Sequence, residues 1–184
     1  MNLANKITII RILLIPLFII ILLTTFPYHK YVASLIFVLA ACTDSLDGYI
    51  ARKRNEITNF GKFIDPLADK LLVTSALISL VEMGKVSSVA AIIIISREFI
   101  ITGFRLLAVT EGKVIAASWW GKLKTVLQIV AIITLMLDNF PFRFIGVPFD
   151  QIVLFISVIV TIISGIDYIY KNKDVFKLQN GKFR

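Results

Sequence analysis

The chain has 184 residues, of which 58% are hydrophobic and 17% are charged. Soluble domains average about 45–50% apolar and about 25% charged residues, and a soluble fold of this size has too small an interior to bury so much apolar surface. The composition therefore excludes an ordinary soluble domain and a disordered chain, and the single cysteine, Cys42, excludes a disulfide framework. It predicts an all-α membrane protein with several spans. The net charge of +8 is expected from basic loops that face anionic lipid, and no nucleic-acid partner is predicted.

Six apolar segments of about 20 residues follow one another along the chain, and each is long enough to cross one bilayer core as a helix. The predicted spans are Ile7–Phe26, Lys30–Ala51, Gly61–Glu82, Ser87–Val109, Ser118–Leu137 and Phe149–Tyr170. Residues 2–11 could form an amphipathic lead-in that lies at the membrane surface. The predicted organisation is one six-helix domain over residues 1–172, followed by a basic cytoplasmic tail at residues 173–184.

The distribution of positive charge predicts how the spans are oriented. With six spans, both termini and the loop between the second and third spans lie on the same side. Of the 20 lysines and arginines, only Lys30, Lys85 and Arg143 fall on the opposite side. Because cytoplasmic loops carry the excess of Lys and Arg, both termini are predicted to be cytoplasmic, in a multi-pass protein of the cell membrane.

Four aspartates lie inside the second and third spans, where an ionisable group costs about 2.5–3.5 kcal/mol on insertion scales. Asp44 and Asp47 are three residues apart and Asp65 and Asp69 are four apart, so each pair shares one helix face. Because the two helices run antiparallel, all four are expected at one depth, just inside the cytoplasmic surface. Clustered carboxylates repel one another, and two hard cations such as Mg²⁺ or Mn²⁺ would balance them. Paired metals held by carboxylates are a device for phosphoryl transfer.

The residues around these aspartates fit a site for a phosphorylated substrate. Gly48, Ala51 and Gly61 are small, so a substrate could approach the backbone closely. Arg52 and Lys62 could pair with phosphate charge. A structural ion-pair network between the aspartates and nearby cations is the alternative, but it explains neither the spacing nor the glycines.

At these positions the chain resembles the CDP-alcohol phosphotransferase family, whose pattern is D-x2-D-G-x2-A-R-x8-G-x3-D-x3-D. Every fixed position of the pattern is present, at Asp44, Asp47, Gly48, Ala51, Arg52, Gly61, Asp65 and Asp69. The resemblance implies a six-helix membrane enzyme, usually a homodimer. The depth predicted for the aspartates means that the active site of such an enzyme would face the cytoplasm. Such an enzyme moves a substituted phosphate from a CDP-linked donor to an alcohol and releases CMP.

The resemblance also implies the role of each motif residue. The first three aspartates would hold divalent metal, and Asp69 would complete the metal site and act as general base. The residues expected to bind the cytidine diphosphate are Asp44, Gly48, Ala51, Arg52, Gly61 and Lys62.

A broader likeness covers most of residues 2–170 and is to the bacterial phosphatidylglycerophosphate synthases within that family. It is carried by Asn5–Arg11, Ser96–Arg105, Gly112–Ser118 and Gly121–Thr125. It implies CDP-diacylglycerol as donor and glycerol 3-phosphate as acceptor. Other acceptors stay open, as in cardiolipin, phosphatidylserine or phosphatidylinositol-phosphate synthases, and a cation transporter is a remote alternative.

Several cations near the cytoplasmic ends of the fourth and fifth spans suit an acceptor that carries its own phosphate. The expected acceptor-phosphate residues are Arg97, Arg105, Lys122, Lys124 and Thr8. Arg97 and Arg105 are eight residues apart, about two helical turns, so both can face one site. Alternatively, these cations snorkel to lipid headgroups, and Arg97 forms an ion pair with Glu98 or with a motif aspartate.

Overall fold

The computed structural model describes the backbone of residues 3–54, 59–110 and 118–172, and within these ranges all side chains except those of residues 3–7, 44–66, 69 and 109–110. The regular structure of this part of the chain is helical, which confirms the predicted all-α class. Its elements are α1 (Leu3–Leu23), α2 (His29–Arg54), α3 (Asn59–Glu82), α4 (Ser88–Thr110), α5 (Trp119–Met136), a 3₁₀ turn (Phe142–Ile145) and α6 (Phe149–Lys171).

Each predicted span corresponds to one of these helices, with ends that differ by a few residues. The largest difference is at α1, which is one continuous helix from Leu3. Thr8 and Arg11 are each only 1% exposed, so this part of the expected lead-in is packed against the bundle. The predicted tail at residues 173–184 lies outside the described residues.

Small residues allow the first three helices to pack closely. Ala33 and Ala40 on α2 and Ala68 and Ala76 on α3 are fully buried, and α1 packs against both helices. Small side chains at helix interfaces let backbones approach and gain van der Waals contact, which is the main source of helix association in lipid. The larger core side chains around them include Phe18, Leu22, Phe37, Leu77, Leu80, Ile132, Leu135 and Met136.

The second half of the bundle is built on α6, which packs against α4 and α5. A small apolar cluster of Ile101, Phe104, Ala108 and Tyr168 joins α4 to α6. The outward face of α6 is apolar as well, with Phe155 and Ile166 about two-thirds exposed. A helix that is apolar on its outer face as well as its inner one suits a lipid environment.

Two of the described helices, α5 and α6, are long and apolar enough to cross a membrane by length and composition. Shorter apolar stretches occupy Thr8–Leu23 and His29–Thr43. The helices α3 and α4 carry charged residues within their length, which lowers their apolar content. The prediction of six spans with cytoplasmic termini therefore remains a prediction.

The helices alternate in direction, so the bundle has two ends. We call the end where α2 finishes and α3 begins the motif end, and the opposite end the clamp end. At the clamp end, Asp138 accepts from Lys30 Nζ at 2.5 Å and is also paired with Lys85. Lys85 donates in addition to the carbonyl of Leu135 at 2.7 Å. This group of Asp138, Lys30 and Lys85, the Asp138 clamp, joins the start of α2 and the α3–α4 connection to the end of α5.

Candidate functional site

The aspartate motif lies on two helices that meet at the motif end. Asp44 is ten residues before the end of α2, and Asp69 is ten residues after the start of α3, so each is about 15 Å along its helix axis from that end. Because α2 and α3 are neighbours joined by a short connection, the two backbone positions lie at one level. Both halves of the motif were predicted to be helical, and the backbone of α2 and α3 confirms this.

The side chains of the motif lie outside the described residues, and so does that of Lys62. This applies to Asp44, Asp47, Gly48, Ala51, Arg52, Gly61, Lys62, Asp65 and Asp69. Among the side chains that are described, no group of three or more His, Cys, Asp or Glu could hold a metal ion. The metal, nucleotide and base assignments therefore remain predictions.

A cavity of about 390 Å³ opens at the motif end, between α3, α4, α5 and α6. Its size falls within the range of about 300–1,000 Å³ that is typical of ligand sites. The lining side chains that the structure describes are mostly polar, and five of them are cations. These are Lys70, Arg97, Arg105, Lys122 and Lys124, accompanied by Glu98, Thr102, Ser118, Thr125 and Tyr168. We call this the basic cavity, and its excess of positive charge suits an anionic ligand.

The structure brings four of the five expected acceptor-phosphate residues to this cavity, namely Arg97, Arg105, Lys122 and Lys124. Thr8 is not among the lining residues; it is buried on α1, which packs against α2 and α3. Sequence reasoning did not assign Lys70 to this group. Its position directly after Asp69, on the helix that carries half of the motif, could have indicated that Lys70 lies near the site.

Helical periodicity explains why α4 supplies so much of the wall. Arg97, Ile101 and Arg105 are four residues apart and lie on one face. On α5, the first two turns supply the wall, and Ser118 caps the helix by accepting from the Gly121 N–H at 3.1 Å. Since an N-cap side chain fixes where a helix starts, Ser118 sets the position of Lys122 and Lys124.

Glu98 connects three of the five cations. Its carboxylate pairs with Lys124, with Arg97 Nη1 at 3.1 Å and with Lys70 Nζ at 3.6 Å. Arg97 Nη2 also donates to Ser164 Oγ on α6 at 2.7 Å. The pairing of Arg97 with Glu98, one of the two alternatives drawn from the sequence, is confirmed. The Glu98 side chain is only 14% exposed, so this network is largely shielded from water.

The other two cations of the cavity are arranged differently. Arg105 Nε donates to Tyr168 Oη at 3.3 Å, and its guanidinium carbon is 5.7 Å from the centre of the tyrosine ring. Within the part of the chain that the structure describes, neither Arg105 nor Lys122 has an acidic partner, and both are exposed. Their charges are available to a ligand that enters from solvent.

Comparison with known proteins gives the family. Residues 1–163 match the family model described as CDP-alcohol phosphatidyltransferase. The chain is 46% identical to the CDP-diacylglycerol–glycerol-3-phosphate 3-phosphatidyltransferase of Bacillus subtilis, over 97% of this chain and 99% of that protein. Proteins of the same name from Rickettsia bellii and Haemophilus influenzae are 38% and 40% identical, over 95% and 91% of this chain and 97% and 91% of theirs. The motif, the match over most of the length and these identities all lead to one conclusion: the chain belongs to the CDP-alcohol phosphatidyltransferase family.

Proposed function

We propose that the protein transfers the phosphatidyl group of CDP-diacylglycerol to the 1-hydroxyl of sn-glycerol 3-phosphate, with release of CMP and phosphatidylglycerophosphate. The observation that carries the proposal is that the basic cavity adjoins the helix of the motif aspartates. Lys70 lines the cavity and directly follows Asp69 in α3. An acceptor held in this cavity by its phosphate therefore has its hydroxyl groups close to the helix that carries the proposed base. The names of the relatives support this donor and this acceptor.

In this proposal Arg105 and Lys122 make the first contacts with the acceptor phosphate, because both are exposed and neither has an acidic partner within the described residues. A guanidinium can give two parallel hydrogen bonds to phosphate oxygens, and charge-assisted bonds of this kind are stronger than neutral ones. Arg97 and Lys124 lie deeper and add positive charge behind them. An uncharged or zwitterionic acceptor, such as serine, would leave this excess of cations without a partner.

The motif residues supply the rest of the site. Asp44, Asp47, Asp65 and Asp69 would hold two Mg²⁺ or Mn²⁺ ions, because a set of carboxylates alone suits hard cations. When bound, such ions polarise the diphosphate and stabilise charge on the leaving oxygen. Gly48, Ala51, Arg52, Gly61 and Lys62 would surround the cytidine diphosphate.

The chemical step is a displacement at phosphorus. Asp69 accepts the proton of the 1-hydroxyl, and the oxygen attacks the phosphorus that bears the diacylglycerol. The bond from that phosphorus to the oxygen of CMP breaks, and CMP carries the electron pair away. A general base in hydrogen-bond reach contributes about 10²–10⁴-fold to such a reaction.

The proposal includes a membrane setting and an assembly. Six spans with both termini and the site in the cytoplasm would keep the acyl chains of the donor in the bilayer while the water-soluble acceptor enters from the cytoplasm. Two observations on the helices support such an arrangement: their exposed faces carry large apolar side chains, and α5 and α6 are long and apolar enough to cross a membrane. The distribution of Lys and Arg supports it as well. A homodimer is proposed from the family resemblance.

The test is CMP release by purified protein with CDP-diacylglycerol, Mg²⁺ or Mn²⁺, and one acceptor at a time: glycerol 3-phosphate, serine, inositol phosphate or phosphatidylglycerol. Release with glycerol 3-phosphate alone is expected, and EDTA and Asp65→Asn should abolish it. Asp69→Asn should lower turnover by about 10²–10⁴-fold. Asp167→Asn, which removes a carboxylate paired with the exposed Lys171 on α6, is the matched control and should keep full activity.

Other outcomes would correct specific parts of the proposal. Release with a different acceptor would keep the chemistry and overturn the acceptor assignment. Near-wild-type turnover in Asp69→Asn would overturn the assignment of the base. Absence of release with every acceptor would overturn the enzymatic proposal, and cation flux across vesicles would be measured next.

A further inference from the structure

Glu98 is an unexpected residue in a cavity that suits a phosphate. Among the described residues that line the basic cavity, it is the single acid. A carboxylate near an anionic ligand repels it, so the binding of phosphate alone would favour a neutral residue at this position. Glu98 nevertheless lies on the same face of α4 as the two arginines of the wall. Its presence requires a role that outweighs this repulsion.

The contacts of Glu98 indicate what that role is. Its two carboxylate oxygens have different partners: Oε1 pairs with Lys124 on α5 and Arg97 on α4, whereas Oε2 faces Lys70 on α3. Through the bond of Arg97 to Ser164 on α6, at 2.7 Å, the network reaches a fourth helix. One carboxylate thus joins the four helices whose described residues line the cavity.

Without Glu98, the three cations around it would repel one another. Lys and Arg side chains have several rotatable bonds, so mutual repulsion would spread them over many positions. The positive charge of the cavity would rise by one, and phosphate would still be attracted. What would be lost is a fixed position for that phosphate.

We propose that Glu98 is a positioning residue for the acceptor. It holds Arg97 and Lys124 at fixed places in the cavity, and through Lys70 it ties them to α3 next to Asp69. The distance between the acceptor phosphate and the proposed base is thereby set. This inference rests on the proposed function, because it assumes that a phosphorylated alcohol occupies the basic cavity.

The test compares sn-glycerol 3-phosphate with its enantiomer, sn-glycerol 1-phosphate. The two have the same charge and the same terminal hydroxyl, and they differ only in the arrangement around C2. The ratio of their kcat/KM values therefore reports positioning and does not depend on net charge. It is also independent of the fraction of protein that is folded, so a merely structural role of Glu98 would not change it.

The wild type is expected to prefer one enantiomer, and Glu98→Gln should reduce that preference by about tenfold, because a displacement of about 1 Å can cost a larger factor than this in rate. Glu98→Asp, which keeps the charge on a shorter side chain, should restore part of the preference. Lys122→Gln should lower kcat/KM for both enantiomers alike, since Lys122 is outside the Glu98 network. Asp167→Asn should leave the ratio unchanged.

An unchanged preference in Glu98→Gln, with an active wild type, would overturn the positioning role and leave the proposed function intact. A wild type that uses both enantiomers equally would overturn it as well. CMP release with neither enantiomer would overturn the proposed function, and this inference with it. If Glu98→Gln fails to fold, Lys70→Gln breaks only the contact to α3 and should give a smaller loss of preference; no loss there would count against the proposal.

Discussion

Each end of the bundle has a carboxylate that forms ion pairs with two or more cations, but these ion pairs have different roles at the two ends. At the motif end, Glu98 pairs with Lys70, Arg97 and Lys124 beside a cavity; at the clamp end, Asp138 pairs with Lys30 and Lys85. The Glu98 side chain is 14% exposed and that of Asp138 is 38% exposed. Glu98 joins helices that follow one another in the sequence, whereas the pair between Asp138 and Lys30 joins residues 108 positions apart.

The difference lies in the charge around each carboxylate. Among the described residues that line it, the basic cavity has five cations to one acid, and two of these cations have no acidic partner in the same part of the chain. The clamp has two lysines, one of which also donates to the Leu135 carbonyl. The Glu98 network lies beside a cavity with excess positive charge, so it can contribute to ligand binding. At the Asp138 clamp the lysines already donate to protein acceptors, so their role is to hold the helix ends together.

Loss of Arg105 tests the motif end and should have the largest effect among the changes that leave the motif aspartates in place. Arg105→Gln removes a charged donor from the cavity wall, and kcat/KM for glycerol 3-phosphate should fall by about 100-fold, since a hydrogen bond to a charged group contributes about 1.5–3 kcal/mol. The melting temperature should change little because Arg105 is exposed. The measurement is steady-state CMP release together with thermal unfolding in detergent.

Lys171→Gln is the matched control for Arg105. Lys171 is a cation of α6 at the same end of the bundle, 61% exposed, and it is not part of the cavity wall. Its loss should leave kcat/KM unchanged. If Arg105→Gln destabilised the protein while kcat/KM stayed at the wild-type value, the proposal that the motif end binds a ligand and the clamp end stabilises the fold would be wrong.

Loss of the Asp138 charge tests the clamp end and should change stability without changing catalysis. Asp138→Asn keeps a residue type that tolerates the left-handed backbone found here, with φ of 54°, and removes only the charge. Because the carboxylate is more than a third exposed, the loss should be about 1 kcal/mol or less, or about 2–4 °C in melting temperature. CMP release should be unaffected; a tenfold fall in kcat/KM would mean that the two ends are coupled.

The difference in stability between wild type and Asp138→Asn should depend on pH, and the direction of that dependence follows from the pKa of Asp138. Burial raises the pKa of Asp138, but the hydrogen bonds and charges of Lys30 and Lys85 outweigh it, and the pKa is lower than the ordinary value. A carboxyl whose pKa is lower in the folded state stabilises the fold above its unfolded pKa of about 3.9 and loses that contribution as the pH falls through the folded pKa. The melting temperatures of wild type and Asp138→Asn should therefore converge below about pH 4.

Much of the helical framework could be predicted, because it depends on local pattern. The apolar runs predicted six helices, and the observed ends differ by a few residues, as at α2, which continues to Arg54 instead of ending at Ala51. Arg97 and Arg105 were predicted to face one site from their spacing of eight residues, and both line the basic cavity. These inferences need only helical geometry.

The remaining contacts depend on which helices are neighbours, and no local pattern carries that information. Lys30 and Asp138 are 108 residues apart, and Tyr168 reaches the cavity from the last helix. Thr8 was expected with the acceptor-phosphate residues, yet it is buried on α1 and is not among the described residues that line the basic cavity. Of the three ion pairs of Glu98, only the one with Arg97 is local in the sequence. The pair with Lys70 depends on the packing of α3 against α4, and the pair with Lys124 depends on α5 lying within reach of the Glu98 side chain.

Substitution of Tyr168 should have the smallest effect, and it distinguishes the two contacts that Tyr168 makes with Arg105, one through its hydroxyl and one through its ring. Tyr168→Phe removes the hydroxyl that accepts from Arg105 Nε at 3.3 Å and keeps the ring at 5.7 Å. A long hydrogen bond of this kind contributes about 0.5 kcal/mol, so kcat/KM for glycerol 3-phosphate should fall by about two- to threefold. Tyr168→Leu also removes the cation–π contact and the edge-on packing against Phe104, 5.8 Å between ring centres, and should cost more in both kcat/KM and melting temperature because Tyr168 is buried.

The size of the Tyr168→Phe effect decides how Tyr168 contributes to the cavity. A small loss with unchanged stability means that the ring holds the guanidinium and the hydroxyl only refines its direction. A loss as large as that of Arg105→Gln would mean that the hydroxyl itself contacts the acceptor, since one weak bond to Arg105 cannot account for a 100-fold effect. In that case the ligand contacts of the cavity would extend from α4 and α5 to α6, and the difference between the two ends would become larger still, because nothing comparable is expected from any single hydroxyl at the Asp138 clamp.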